Sequence, residues 1–336
     1  GGDGGDGCGD GGGETPPPPV NIGQFADTTN QGNVAIILNG FDTTEGTDTR
    51  EVFSHIMFLM EDEVADALDQ MTGEFHSGIV GSSIARGRSL PAGFSSRAMS
   101  ANLANVESTQ WGIRYWGGVE TSSGSSDTSG GAEVEYDQTG GKLGVDWTAP
   151  AGEYSFGLGG GYSDGETSSD GLGSTADVSG WHLGAYGANG LGGSGFSISG
   201  ALAYASEDAD VTRNIAFGGL ARQATSDYAI KTTSAETEGR YGFPVTADTA
   251  WAFGPAARAS YVKVERDGFS EDGAGSLNLT SSSLSETSTA IGLGGFANYR
   301  SGKFVFDASA LWTEAEAVGA SGQYSLQGAP SDRFNI

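Results

Sequence analysis

The feature that most constrains this chain is a change of hydrophobic period at Trp111. Beyond it, large apolar residues recur at every second position. Tyr154, Phe156, Leu158 and Tyr162 alternate with Ser155, Gly157, Gly159 and Gly161, and Phe196, Ile198, Leu202 and Tyr204 alternate with Ser197, Ser199, Ala201 and Ala203. Trp251, Phe253, Pro255, Ala257, Ala259 and Tyr261 repeat the pattern, as do Phe304, Phe306, Ala308, Ala310 and Trp312. A period of two with one apolar face and one small or polar face belongs to a sheet with lipid or core on one side. About nine such strands can be placed on this pattern.

Aromatic spacing separates a membrane barrel from a soluble sandwich. Tyr154 and Tyr162, Phe196 and Tyr204, Phe253 and Tyr261, and Phe304 and Trp312 each stand eight residues apart. Eight residues at ~3.3 Å rise span about 26 Å. A tilt of ~40° projects this to roughly 20 Å, close to the ~25 Å apolar band between two aromatic girdles. The links between strands also read as alternately long and short. Long polar loops are expected near 121–133, 164–177, 206–227 and 264–286, and short turns near 148–153, 189–194, 244–249 and 300–303. Outer-membrane barrels have this asymmetry, because turns on one side are tight and loops on the other are free to grow.

Composition removes several alternatives. A net charge of −27 with only 16 Lys and Arg argues against a nucleic-acid partner, which would need cations for its phosphates. Cys8 is the single cysteine, so neither an intramolecular disulfide nor a thiolate cage is possible. The longest apolar runs, such as Ile56–Met60, are far too short for a spanning helix.

Residues 1–23 read as a Gly/Pro-rich linker. Gly1 to Asp6 match the start of a calcium β-roll repeat, but the match ends there, and such folds need stacked repeats. Residues 24–108 read as helical. Asp48 and Thr49 are expected to cap a helix running to about Gln70, with a second stretch to about Arg88 and a break at Pro91 and Gly93. Residues 94–108 are small and polar. They are a poor core surface but fit a polar channel wall, so this segment is expected to lie inside the sheet as a plug. Arg97 and Glu107 are expected to pair there with lumenal charges such as Glu238 and Arg240, the individual pairs being left open by the sequence.

Several segments resemble the translocator domain of the autotransporters (type V secretion). Ala67-Leu68-Asp69-Gln70-Met71-Thr72-Gly73-Glu74-Phe75-His76 is the most specific match to that family's helical segment. Thr29 to Ala35, Gln110-Trp111-Gly112, Trp181 to Gly187, Arg213 to Gly219, Asp267 to Glu271 and Gln327 to Pro330 resemble further motifs. The resemblance implies an all-β fold: a transmembrane antiparallel barrel of twelve strands when complete, over 109–336, with an N-terminal helical segment threading the lumen. About three strands are then expected beyond Ile336. It further implies export or anchoring of an N-terminal passenger at the cell surface, an outer-membrane location, and a monomeric state without nucleic acid. Outer-membrane lipid and lipopolysaccharide, the passenger, the barrel-assembly machinery and periplasmic chaperones are the implied partners. A porin-like or surface-exposed structural barrel is the alternative.

The chemistry is that of a channel wall. His55, His76 and His182 are scattered and form no metal or nucleophile pattern, so no catalytic residue, metal or cofactor is expected. By strand parity Arg114, Lys142, Asp146, His182, Glu238, Arg240 and Arg258 point away from the apolar face and are the expected lumen-lining residues. Some members of the family cut their own passenger at an Asn pair in the plug. Here Asn102 and Asn105 are not adjacent.

Overall fold

The computed structural model describes residues 21–105, 108–190, 195–245, 251–301, 304–316 and 322–336. Residues 1–20 of the expected 1–23 linker, Cys8 among them, and Glu107 therefore lie outside the described residues, as do most of the expected turns at 189–194, 244–249 and 300–303.

Four α-helices open the described chain: α1 (Thr29–Asn39), α2 (Asp48–Met57), α3 (Glu61–Thr72) and α4 (Glu74–Asn105). The Thr28 hydroxyl accepts from Gln31 N, and the Gln31 amide oxygen accepts from Thr28 N, a capping box that fixes the start of α1. Thr47, rather than Asp48 or Thr49, caps α2 by accepting from Arg50 N. The expected helix from 48 to 70 is two helices, parted at Phe58-Leu59-Met60. Gly73 ends α3 in the left-handed conformation (φ +79°), which a glycine adopts without a Cβ penalty.

The break expected at Pro91 does not occur, and α4 runs through it for 32 residues. Proline forfeits one intrahelical hydrogen bond, but a helix surrounded by strands is held from outside. Gly78 and Gly87 allow the close approach. A Cβ on Gly78 would fall 2.5 Å from a Val134 methyl, and one on Gly87 would fall 2.7 Å from Thr232 and 2.8 Å from Val262.

Nine strands form one antiparallel, curled sheet in the order β1 (Gly112–Asp127), β2 (Glu133–Thr148), β3 (Tyr154–Ser169), β4 (Ser174–Asn189), β5 (Gly195–Phe217), β6 (Leu220–Pro244), β7 (Trp251–Arg266), β10 (Leu284–Ser301) and β11 (Phe304–Ala315). Three expected long loops are instead continued pairing. β1 and β2 stay in register to Asp127↔Glu133, β3 and β4 to Ser169↔Ser174, and β5 and β6 to Phe217↔Leu220 across a two-residue Gly218-Gly219 turn. Both turn glycines have positive φ, as a tight hairpin turn needs. The ~9–11 residues needed to cross a membrane are less than half of the 23 in β5 and the 25 in β6.

Along these strands the two faces exchange character. In β5, Phe196, Ile198, Leu202 and Tyr204 are exposed on the side away from α4. Beyond Ser206 that same side carries the exposed Asp208 and Asp210, while Ala209, Val211 and Ile215 are buried inward. Val178 on β4, Ile230 on β6 and Val262 and Val264 on β7 behave likewise. Polar residues on the solvent side and apolar ones inside are the pattern of a water-soluble sheet. Its low outward hydropathy is why the sequence read as loop.

The fourth expected loop, 264–286, and residues 322–336 build a separate small sheet in the order β13 (Phe334–Asn335), β12 (Gln323–Leu326), β9 (Leu279–Ser281), β8 (Phe269–Ser270). These strands lie within 109–336 but outside the nine-stranded sheet. The small sheet packs with α1–α3 as a cap at the hairpin end of the large sheet, and one apolar core runs from Ile22 and Leu38 through Met71, Phe75 and Ile79 to Val211, Leu279 and Tyr324.

Candidate functional site: a helix held inside the sheet

α4 lies along one face of the curled sheet and touches every one of its nine strands. Arg86 donates to Glu207 on β5 (3.1 Å), and Gln138 on β2 donates to the other oxygen of that carboxylate (3.1 Å). Further along, Arg97 Nε donates to Asp146 on β2 (2.8 Å), which also accepts from the Tyr186 hydroxyl. Trp116 Nε1 donates to Tyr186 Oη (2.8 Å), and Phe94 stacks on the Tyr186 ring at 5.4 Å. Ser95 meets Ser199 (2.7 Å), and Ser155 donates to the Ala98 carbonyl (2.9 Å). Buried carboxylates need such partners, since an unpaired charge in a low-dielectric site is costly.

The expected lumen residues divide into three groups. Asp146 holds Arg97, while Arg114 donates to the Ala101 carbonyl at 3.4 Å. Glu238 accepts from Arg240 and from Arg258 Nε (2.8 Å), and Arg240 also reaches Asp307 (2.7 Å). Lys142 and His182 stand 3.1 and 3.3 Å from Glu120 on β1. The sequence left open which strand charge Arg97 meets, and the structure pairs it with Asp146 and not with Glu238. Arg240 and Arg258 already occupy Glu238, and Asp146 faces the helix. A cavity of about 430 Å³ remains beside α4, lined by Leu90, Phe94, Trp116, Gln138, Lys142 and His182 among others. Elsewhere on α4 the Asn102 amide is buried without a hydrogen-bond partner among the described residues.

On the opposite face all eight expected aromatics, Tyr154, Tyr162, Phe196, Tyr204, Phe253, Tyr261, Phe304 and Trp312, are exposed. Strand register sets further aromatics beside some of them and beside one another. Tyr162 stands opposite Trp181, and Phe196 opposite Tyr241, while Trp251 is across from Tyr299. Among the described residues no helix is long and apolar enough to cross a membrane, and no group of three His, Cys, Asp or Glu is set to hold a metal.

A second cluster, missed in the sequence, closes the cap. The buried Glu271 carboxylate accepts two hydrogen bonds from Arg213 on β5 (3.0 and 2.5 Å) and faces His76 Nε2 of α4 at 3.0 Å. His76 Nδ1 is 3.0 Å from the Tyr228 hydroxyl, and the Arg266 guanidinium lies over the rings of Tyr228, Phe269 and Tyr324. Burial works against the charge on Glu271, but Arg213 and the hydrogen bonds from His76 and Arg213 outweigh it and hold the carboxyl at about 2. Burial pushes the His76 imidazole below its usual range and keeps it neutral. A signal for this cluster was present: the resembling motifs Ala67–His76, Arg213–Gly219 and Asp267–Glu271 each contribute to it.

A sheet with a wide apolar band outside, paired charges inside and a helix along its inner wall defines the class of outer-membrane β-proteins with an occupied interior. The autotransporter β-domain family model matches residues 115–336, and the chain belongs to that family. Its function is that of an outer-membrane translocator, a secretion domain linked to a passenger, and the porin-like alternative is not favoured. The translocator domain of the autotransporter NalP from Neisseria meningitidis is similar in fold, with a TM-score of 0.53 at 16% identity over 79% of this chain and 84% of that one. The β-domain of the Bordetella autotransporter BrkA matches with a TM-score of 0.34 at 17% identity over 64% and 86%. No curated protein sequence matches.

Proposed function

We propose that this β-domain displays its passenger at the cell surface while α4 stays in the lumen. Lumen-lining roles are assigned to Arg114, Lys142, Asp146, His182, Glu238, Arg240 and Arg258. The two girdles are assigned to Tyr154, Phe196, Phe253 and Phe304 at one interface and to Tyr162, Tyr204, Tyr261 and Trp312 at the other. The observation that carries the reading is the paired Arg97 and Asp146, with Arg86 and Glu207 above them. Two strand carboxylates at different heights hold two arginines of one helix.

In this arrangement the free edges of β1 and β11 need partner strands, because unpaired backbone groups facing lipid cost several kcal/mol each. The aromatic rows sit where headgroups meet hydrocarbon, and the acidic hairpins beyond them stand in water next to lipopolysaccharide. Insertion by the assembly machinery follows from the same reading, and the domain carries no chemistry of its own. Planar-bilayer conductance of the whole protein, with residues 74–108 present and deleted, tests it. The deletion should raise conductance several-fold, and unchanged conductance would remove α4 from the lumen.

A further inference from the structure

The segment with the strongest family resemblance, Ala67–His76, has no task in the scheme above, yet Asp69, Gln70, Gly73, Glu74, His76 and the following Ser77 each touch another element. Asp69 Oδ1 accepts from Gln31 of α1 (2.8 Å). The Gln70 side-chain oxygen accepts from Ala216 N at the tip of the β5–β6 hairpin (2.7 Å), and its carbonyl accepts from Arg213 (2.6 Å). Gly73 passes so close to the small sheet that a Cβ would lie 2.8 Å from Leu279 and 3.4 Å from Tyr324. Glu74 accepts from Asn30 (2.7 Å) and from Thr128 at the β1–β2 turn (2.5 Å). His76 meets Glu271 and Tyr228, and Ser77 meets the Tyr324 hydroxyl (3.1 Å).

Beneath these ties the interior is apolar. Phe75, Ile79, Val80 and Ile84 of α4 pack on Val134, Val211, Ile230 and Val262 of the strands, all nearly inaccessible. The paired charges of Arg86 and Arg97 begin only below that layer. Ions cross such a layer poorly, since leaving water costs a charge far more than an apolar wall returns.

We propose that residues 69–76 are a latch, which ties the β1–β2 and β5–β6 hairpins and the small sheet to the head of α4 and seals the lumen from the cell exterior. Only a chain whose α4 is already in place presents Gln70, Glu74 and His76 to all three partners together. The seal therefore closes over an occupied lumen and not over an empty one. This rests on the lumenal reading of α4, and the test separates the two.

The experiment uses the whole protein in the outer membrane of intact cells, with Cys8→Ser and one reporter, Ser77→Cys below the latch or Ser95→Cys in mid-helix. A membrane-impermeant maleimide is applied from outside. With the latch intact both reporters should stay unlabelled over hours. Gln70→Ala, which removes the side-chain tie to Ala216 and keeps the backbone, and Glu271→Gln should each speed labelling of the Ser77→Cys protein at least ten-fold. Folding of each variant is checked by heat-dependent gel migration, and Gln70→Ala carries the test if Glu271→Gln does not fold. Rapid labelling of the Ser77→Cys protein with the latch intact, or unchanged slow labelling in the folded variants, overturns the latch. Rapid labelling of the Ser95→Cys protein with the latch intact overturns the lumenal placement instead.

Discussion

Asp177 on β4 stands directly across from Asp210 on β5, carboxylate beside carboxylate on the exposed face. The pairing extends in both directions: Asp137 is opposite Glu166, Glu166 opposite Asp177, and Asp210 opposite Asp227. Five carboxylates thus cross five strands in one row, about 19 Å long at ~4.8 Å per strand. Like charges directly opposite on a sheet oppose the fold by about 0.2–1 kcal/mol per pair, more at low salt. Thermal melting in detergent should therefore rise between 50 mM and 1 M NaCl, by a few degrees at roughly these energies. Asp210→Asn should raise the low-salt melting point and flatten the salt dependence. A salt-independent melt in both proteins would mean that the row carries no net repulsion.

Acid should loosen the cap before the sheet. Glu271 has a folded value of about 2 against 4.5 for the free group, so its contribution is complete above 4.5 and is lost as pH falls from 4.5 towards 2. His76 is depressed by burial. The unfolded imidazole takes up a proton near 6.5 while the folded one does not, so stability also declines as pH falls below 6.5. Protease sensitivity of residues 21–76 should thus increase stepwise between pH 6.5 and 3 while the sheet persists. Equal sensitivity at pH 7 and 3 would contradict this.

Close packing of α4 makes two glycines behave oppositely. Gly78→Ala places a Cβ 2.5 Å from Val134, and overpacking of this kind costs about 1–3 kcal/mol. Gly93→Ala meets nothing nearer than the flexible Lys142 ammonium at 3.7 Å and should stabilise by about 0.5–1 kcal/mol through helix propensity. Denaturation midpoints of the two variants in detergent decide whether contact or propensity governs.

Asp146 is fully buried while Arg97 is about one-third exposed, so breaking their pair is asymmetric. Arg97→Ala removes the guanidinium from a fully buried carboxylate that keeps the Tyr186 hydroxyl, and should cost about 2–4 kcal/mol, below the 3–5 of a fully buried pair because water reaches Arg97. Asp146→Asn keeps the Tyr186 contact and should cost less. A double-mutant cycle on thermal stability measures the coupling, and a coupling near zero would argue against a pin at this position.

Much of the large sheet was legible because period two survives wherever one face is apolar. Tyr154, Phe196, Trp251 and Phe304 announce their strands without any tertiary knowledge. The inward direction of Asp146, His182 and Glu238 follows from parity alone, since a strand has only two faces. What parity could not carry was pairing partners. Arg97 meets Asp146 and not Glu238 because the axial position of α4 and the prior claims of Arg240 and Arg258 decide it, and those are three-dimensional facts. The same limit hid the outer halves of β5 and β6. Their faces exchange polarity near Ser206, and a segment such as Asp208-Ala209-Asp210-Val211 becomes a strand only when its partner and an apolar helix cover the inner side. Sequence by itself determined the strand period, the aromatic spacing and the small residues of α4, all local consequences of side-chain size and polarity. Tertiary structure alone decided that His76, Arg213 and Glu271, separated by up to 195 residues, would share one buried cluster. A buried charge finds its partner by position in space, and one-dimensional order does not encode that position.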